Sequence, residues 1–342
     1  LKGRENKDNV IKVRKIMAVF TICCMTATVP ACTPSFPKEK LAPSLKALCR
    51  EEYNMEIDVA VLGNTLGIYY PMKGLLDLGM GISSEAWEAI SDLLFVASRV
   101  VLSTDADIKY YCIIAQDAKF PELQVVLIKY VDDVKRSMVR NISRNESFKR
   151  TLLSINLTPQ AEKERSVQNV LNRLGVDETT RRKVLEDFFK SQPTRLSDIG
   201  YWRNEFYLKE ITKEEFLAEQ IASRIKMEFK TKKDLVELYK YINAESEYIS
   251  KDETGTFYIK FKILEQSAKK SVEEMNKKKV EKIMRVVNEV VYGYKFQNFD
   301  FLIMEDQLEN VKILAEGKDL YALHKNKHLQ IENIVESPPE YF

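Results

Sequence analysis

The chain has two histidines, His324 and His328, and histidine is the side chain that carries protons near neutral pH. Their i,i+4 spacing puts both rings on one face of a helix, where they could clamp a metal ion. The segment HKNKH lacks the Glu of the metalloprotease motif, and its lysines repel a cation. It reads as a solvated helix end or tail, and no metal site is assigned. Asp132 and Asp133 follow an apolar strand. Adjacent carboxylates can share a metal or split their pKa values for acid/base work. Sequence neighbours point apart, however, and Lys135 and Arg136 stand ready to neutralise them, so the pair reads as a strand-end cap or solvated turn. Asp105 and Asp107 read as a turn too. Gly79-Met80-Gly81 precedes a helix start, where backbone N–H groups can hold an anion. It matches neither the dinucleotide fingerprint nor the P-loop, and reads as a flexible connector. Nucleophilic catalysis by Cys49 or Cys112 needs a base within reach, and nothing in the spacing supplies one.

Aromatic residues fall on the expected strands: Tyr110, Tyr111, Phe257, Tyr258, Phe299 and Phe301. A sheet displaying aromatics can stack bases, but the basic companion pattern is missing. Core packing is the simpler reading, with outward-facing rings free to anchor a protein interface. Asn141, Asn145 and Asn156 sit in N-x-S/T triplets that read as chance. No catalytic, cofactor-binding or metal-binding residue is assigned, and no cofactor is expected.

The stretch Lys12 to Phe36, KVRKIMAVFTICCMTATVPACTPSF, reads as an address. Lys12, Arg14 and Lys15 precede the apolar run Ile16 to Val29, which ends at Pro30-Ala31-Cys32. A basic region, a short apolar core and a small residue before the cut make a secretory signal peptide. The run is 14 residues long, short of the roughly 20 a membrane span needs. Val29-Pro30-Ala31-Cys32 resembles the lipobox of bacterial lipoproteins: an aliphatic residue, a small residue before the cut, then the cysteine that becomes acylated. Pro30 stands where the pattern has a small or aliphatic residue. The resemblance implies lipidation at Cys32, a flexible tether in TPSFPKEKLAP, and a membrane anchor. Thr33 stands where an Asp would imply inner-membrane retention, so the implied place is the periplasmic face of the outer membrane.

That address changes how composition is read. The 342 residues carry a formal charge of +2. Residues 1–31 hold six Lys/Arg and two acids, so the chain from Cys32 onward is slightly acidic, with little electrostatic drive toward nucleic acid. Of the five cysteines, cleavage would remove Cys23 and Cys24. A lipidated Cys32 would leave Cys49 and Cys112, either as one disulfide or as two separate thiols.

Hydrophobic periodicity supplies the scaffold. Residues 33–43 carry three prolines and read as linker; Ser44 to Tyr53 reads as a short helix. Asp58 to Tyr70 reads as a strand interrupted at Gly63-Asn64, by a hairpin turn or a bulge. A helix capped by Ser83 or Ser84 buries Trp87, Ile90, Leu94, Ala97 and Val101. Strands Ile108–Gln116 and Leu123–Val131 follow. Near the end, strand Thr256–Ile263, helix Val272–Val291 (Val280, Ile283, Val287 and Val290 inward) and strand Phe299–Met304 repeat the order β-α-β-β. Val311 to Leu314 begins a fourth element, and Glu316 to Leu323 reads equally well as helix. Thr65 to Ile108 and Thr256 to Phe299 both span 43 residues, although the helix stripes fall out of phase at that offset.

Between the repeats lie helices Pro159–Leu174 and Asp177–Lys190, a loop Ser191–Trp202, and a helix capped by Thr212 with Glu215. That last helix buries Phe216, Ile221, Ile225 and Phe229 and ends in the basic run Lys230–Lys233. The expected fold is α+β, two small β-α-β-β sandwich units flanking a helical segment. The expected divisions are 1–31 signal peptide, 32–56 tether and short helix, 57–158 N-terminal unit, 159–245 helical segment, 246–334 C-terminal unit and 335–342 disordered tail.

The expected function is a non-enzymatic envelope lipoprotein that scaffolds or binds another envelope protein. The alternatives are a periplasmic carboxylate-based hydrolase and a module binding a small ligand or glycan in the cleft between the two units. Convergent acids in a deep pocket favour the hydrolase; a flat apolar patch favours the scaffold.

Overall fold

A computed structural model describes residues 36–77, 79, 81–188, 193–252, 254–266 and 272–325. The expected signal peptide, Cys32, the first residues of the expected tether, His328 and the expected tail lie outside the described residues. Helix α1 (Leu41–Tyr53) buries Leu41, Leu45 and Cys49, one stripe at i,i+4 spacing. It starts inside the expected linker and includes Pro43. A proline in the first turn costs nothing extra, because its missing N–H has no helical partner there. Asn54, left-handed at φ 54°, closes the helix.

Strands β1 (Asp58–Leu62) and β2 (Thr65–Met72) form a hairpin whose turn is Gly63-Asn64. Gly63 has φ 55°, which a residue without Cβ adopts freely. Helix α2 (Ser84–Leu102) crosses to β3 (Tyr110–Asp117), which pairs parallel to β2; β4 (Leu123–Tyr130) pairs antiparallel to β3. The Ser83 hydroxyl caps α2 by accepting from the Ala86 N–H at 3.2 Å. Two short helices, α3 (Val131–Met138) and α4 (Arg144–Lys149), lead to β5 (Leu152–Leu157), an edge strand the sequence pattern did not announce. The first sheet is ordered β1-β2-β3-β4-β5.

Helices α5 (Pro159–Arg173) and α6 (Glu178–Phe188) follow, the second capped by the Asp177 carboxylate accepting from Thr179 and Thr180 N–H. The expected loop ends in a strand, β6 (Gly200–Trp202), which pairs with β7 (Glu205–Tyr207) just beyond it. Helix α7 (Lys213–Thr231) starts as expected, the Thr212 hydroxyl accepting from the Glu215 N–H. After α8 (Lys233–Val236) come β8 (Tyr239–Lys251), β9 (Thr254–Glu265), α9 (Val272–Gly293), β10 (Phe301–Asp306), β11 (Val311–Glu316) and α10 (Gly317–Lys325). The fourth element is therefore both strand and helix in succession. The 245/246 division falls inside β8.

The two units share one topology, and it is β-β-α-β-β rather than β-α-β-β. In each, a hairpin precedes a helical crossover to a parallel strand, and a second antiparallel strand follows. Thr65 pairs with Tyr110 and Thr256 with Phe301, so both crossovers span 45 positions. A shift of 191 positions lays one pairing on the other and also lays Leu102, the end of α2, on Gly293, the end of α9. Four matched helix positions are buried in both: Leu93/Met284, Val96/Val287, Ala97/Asn288 and Val100/Val291. The apolar pattern of α9 is wider because α7 covers it on a second side, which hides the shared phase in the sequence.

Packing around the sheets differs. One face of the first sheet, with Leu66, Ile68, Tyr111, Ile113 and Leu127, packs under α1 and α2. Its other face, with Tyr110, Cys112, Ile114, Val126 and Ile128, joins a larger core with α7, α9 and the inner face of the second sheet. Helix α7 is the element both units share. The fold is α+β, with sheet units flanking helices, as expected from the sequence.

Candidate functional site

The residues singled out in the sequence do not converge. His324 lies on α10, stacked on Tyr292 with ring centroids 4.6 Å apart, its Nδ1 3.1 Å from Asn288 Oδ1. Among the described residues no group of three or more His, Cys, Asp or Glu is placed to hold a metal. The N–H groups of Gly79 and Gly81 both donate to Asp77 Oδ1, at 2.8 and 2.9 Å, so the loop fills its own anion position. Cys49 and Cys112 are separate buried thiols. Burial, reinforced by the Glu52 charge, pushes Cys49 up to about 11, and burial pushes Cys112 up as well. Both stay protonated at neutral pH and are poor nucleophiles.

Asp132 and Asp133 open helix α3 instead of lying in a turn, and they part company. Asp132 is exposed and pairs with Lys135. Asp133 is buried against Arg150 at 2.8 Å. Arg150 also holds Glu146 at 2.8 Å and donates to the Gly293 carbonyl at 3.2 Å, with its guanidinium 4.5 Å from the Tyr294 ring centroid. Glu146 takes a second guanidinium from Arg224 at 2.8 Å. This buried network joins α3, α4 and α7 to the end of α9. It is structural: each charge is matched by another.

The surface with chemistry left over is a groove along α7. The apolar side of that helix is buried as the sequence pattern implies: Phe216, Ile221, Ile225 and Phe229. Glu215, Glu219, Ser223, Lys226 and Lys230 form a second stripe that follows the helical repeat and lines the cavities along the groove. The stripe runs from acidic to basic. Two edge strands, unpaired on their outer side among the described residues, flank it: β5 from the first sheet and β8 from the second. A cavity of about 330 Å³ sits between them, lined by Leu152, Ser154, Ala222 and Ala244.

At the acidic end Glu215 and Glu219 meet Glu245, Glu247 and Tyr248 of β8 around about 640 Å³. Glu215 is neutralised by Lys209 at 2.7 Å. Burial, then the Glu215 charge, raises the Glu219 carboxyl above its ordinary value. At the basic end a cavity of about 470 Å³ opens between α2, α4, β5 and α7. Trp87 and Leu94 stand on its wall. The sequence pattern counts both in the buried stripe with Ile90, Ala97 and Val101; those three are buried, but Leu93, Val96 and Val100 take the remaining inward positions. Lys230, read as a simple helix-end cation, lies 5.4 Å from the Tyr241 ring centroid.

The edges differ in character. β5 carries no charged residue, and its Leu153, Ile155 and Leu157 are 37%, 43% and 45% exposed. β1 has Asp58, β11 has Lys312 and Glu316, and β8 has Lys240, Glu245, Glu247 and Lys251. Charges on edge strands prevent unwanted pairing; β5 is built without them. Helical and polar periodicity could have revealed the α7 stripe; nothing local marks LLSINL as an open edge.

The chain matches no known family model, no curated protein and no solved structure. Among the described residues no helix is long and apolar enough to cross a membrane.

Proposed function

We propose that the chain is a non-enzymatic, partner-binding lipoprotein of a bacterial envelope, anchored through acylated Cys32 at the periplasmic face of the outer membrane. Its partner is another envelope protein that lays an extended segment along β5. The observation that carries this reading is the β5 edge, uncharged and apolar at alternate positions, beside the cavity of about 330 Å³. An added strand gains backbone hydrogen bonds from the edge and specificity from alternate side chains. Lys226 and Lys230 below that edge favour an acidic segment. The anchor reading rests on the lipobox-like sequence alone.

Two measurements test it. Mass spectrometry of membrane-fraction protein is expected to find an acylated N-terminus at Cys32; an intact Lys12–Phe36 peptide in the mature chain would sink the anchor. A photo-crosslinker placed at Ile155 in intact envelopes is expected to trap one discrete species that a crosslinker at Lys312 does not. Equal labelling from both positions contradicts docking at β5.

A carboxylate-based hydrolase is the second reading, favoured by the raised carboxyl of Glu219 beside Glu215 and Glu245. Turnover of a glycoside or ester panel that disappears in Glu219→Gln, with the fold intact, would put it ahead of the scaffold.

A further inference from the structure

We infer that the cavity at the basic end of the groove binds an amphipathic anion, a single carboxylate or phosphate head on an apolar tail. This ligand is distinct from a strand docked on β5, although Leu153, Lys226 and Lys230 line both places. Lys129, Arg144, Lys149, Lys226 and Lys230 line the cavity, and no Asp or Glu does. None of these five cations stands in an ion pair among the described residues, whereas Lys209, Lys279, Lys282 and Arg150 all do. A sixth cation, Arg224, is already taken by Glu146 at 2.8 Å.

Lys129 is the centre of the site. It leaves β4 and donates to the Ser147 hydroxyl at 3.3 Å, a long bond for a charged donor. Burial lowers its pKa, and the Asp133 charge opposes that only in part. A partly desolvated ammonium without a carboxylate gains when an anion arrives. Besides the cations, the wall has the hydroxyls of Ser137, Ser147, Thr151, Ser223 and Thr231 and one apolar section. In that section Trp87 meets Phe148 edge-on, ring centroids 6.0 Å apart, beside Leu94, Leu127, Leu153 and Met227. Inorganic phosphate would satisfy the cations and leave this wall wet; a neutral lipid would cover the wall and leave the cations unmatched. An anion with a tail satisfies both, and about 470 Å³ falls within the usual size of small-ligand sites.

Calorimetric titration of the full chain tests this with five probes: laurate, dodecyl phosphate, dodecanol, dodecyltrimethylammonium and inorganic phosphate. Laurate or dodecyl phosphate is expected to bind, and the better of the two identifies the head. Lys129→Met is expected to weaken binding about tenfold, the loss of one charged hydrogen bond. Lys149→Gln with Lys230→Gln, both exposed and tolerant of change, is expected to weaken it as well, and Lys312→Gln on β11 to leave it unaltered. The proposal is overturned if dodecanol or inorganic phosphate binds as tightly as the amphipathic anions, or if neither anion binds at about 1 mM. Undiminished affinity in both the Lys129 and the Lys149/Lys230 variants also overturns it.

Discussion

The two β-β-α-β-β units share crossover length and the register of their parallel strand pair but are held together differently. In the first unit β3 is buried along its whole length, with Tyr111, Ile113 and Ala115 on one face and Tyr110, Cys112 and Ile114 on the other. The second unit buries one face only. Its open face carries cross-strand rows such as Glu245–Lys260–Glu305–Lys312 and Glu247–Tyr258–Ile303–Leu314, with the Tyr258 hydroxyl donating to Glu305. Inside the second unit a lysine, Lys279, is buried between Asp306 at 2.5 Å and Glu265 at 3.3 Å. The position matching Asp306 in the first unit is Ala115, fully buried and apolar. One topology thus tolerates an apolar or an ionic centre, provided the ionic one is complete.

A large effect is expected from breaking that centre. Asp306→Ala leaves the buried Lys279 ammonium with Glu265 alone, at 3.3 Å, and is expected to cost about 3 kcal/mol in urea unfolding. Lys279→Met combined with Asp306→Leu is expected to recover most of this, making the second unit resemble the first. Failure of the double variant to recover would show that the ionic pair contributes more than mutual compensation. Next come the matched helix positions: Leu93→Ala and Met284→Ala are each expected to cost about 2–5 kcal/mol, because both leave cavities against a sheet. A loss at one site only would show that the shared register does not mean shared packing.

Acid is expected to act where the units join. Burial alone raises the Glu146 carboxyl, but hydrogen bonds and charges from Arg224 and Arg150 outweigh it and hold the group below its ordinary value of 4.5. A depressed carboxyl stabilises the fold above its unfolded-state value, and that stability is lost as pH falls through the folded-state value. Urea midpoints of the wild type are therefore expected to drop on acidification below about 4.5, and those of Glu146→Gln to drop less. Parallel pH profiles contradict the assignment. The smallest effect belongs to the open face: Lys260→Gln, which removes an exposed pair to Glu247 at 3.7 Å, is expected to cost under about 1 kcal/mol.

Much of the scaffold was legible in the sequence. Ser83 and Thr212 announced their helices, and the even spacing of the two crossovers announced the repeated unit. The helix phases misled because α9 is buried on two sides, which periodicity counted for a single face cannot reveal. β5 was missed because LLSINL is short and its neighbours are helices. The groove was missed because its charges come from α7, β4 and β8, and only the fold brings Lys129 alongside Lys226. Asp133 was read as solvated because its partner, Arg150, is supplied by the end of the next short helix.

The central claim is that β5 is an edge kept open for another chain. Amide hydrogen exchange over residues 152–157 tests it most directly, comparing purified protein with protein in its envelope membranes. The account predicts strong protection of β5 in the envelope, with the edges β1 and β11 exchanging as they do in the purified chain. Equal exchange of β5 in both preparations, or protection spread evenly over all edges, contradicts it.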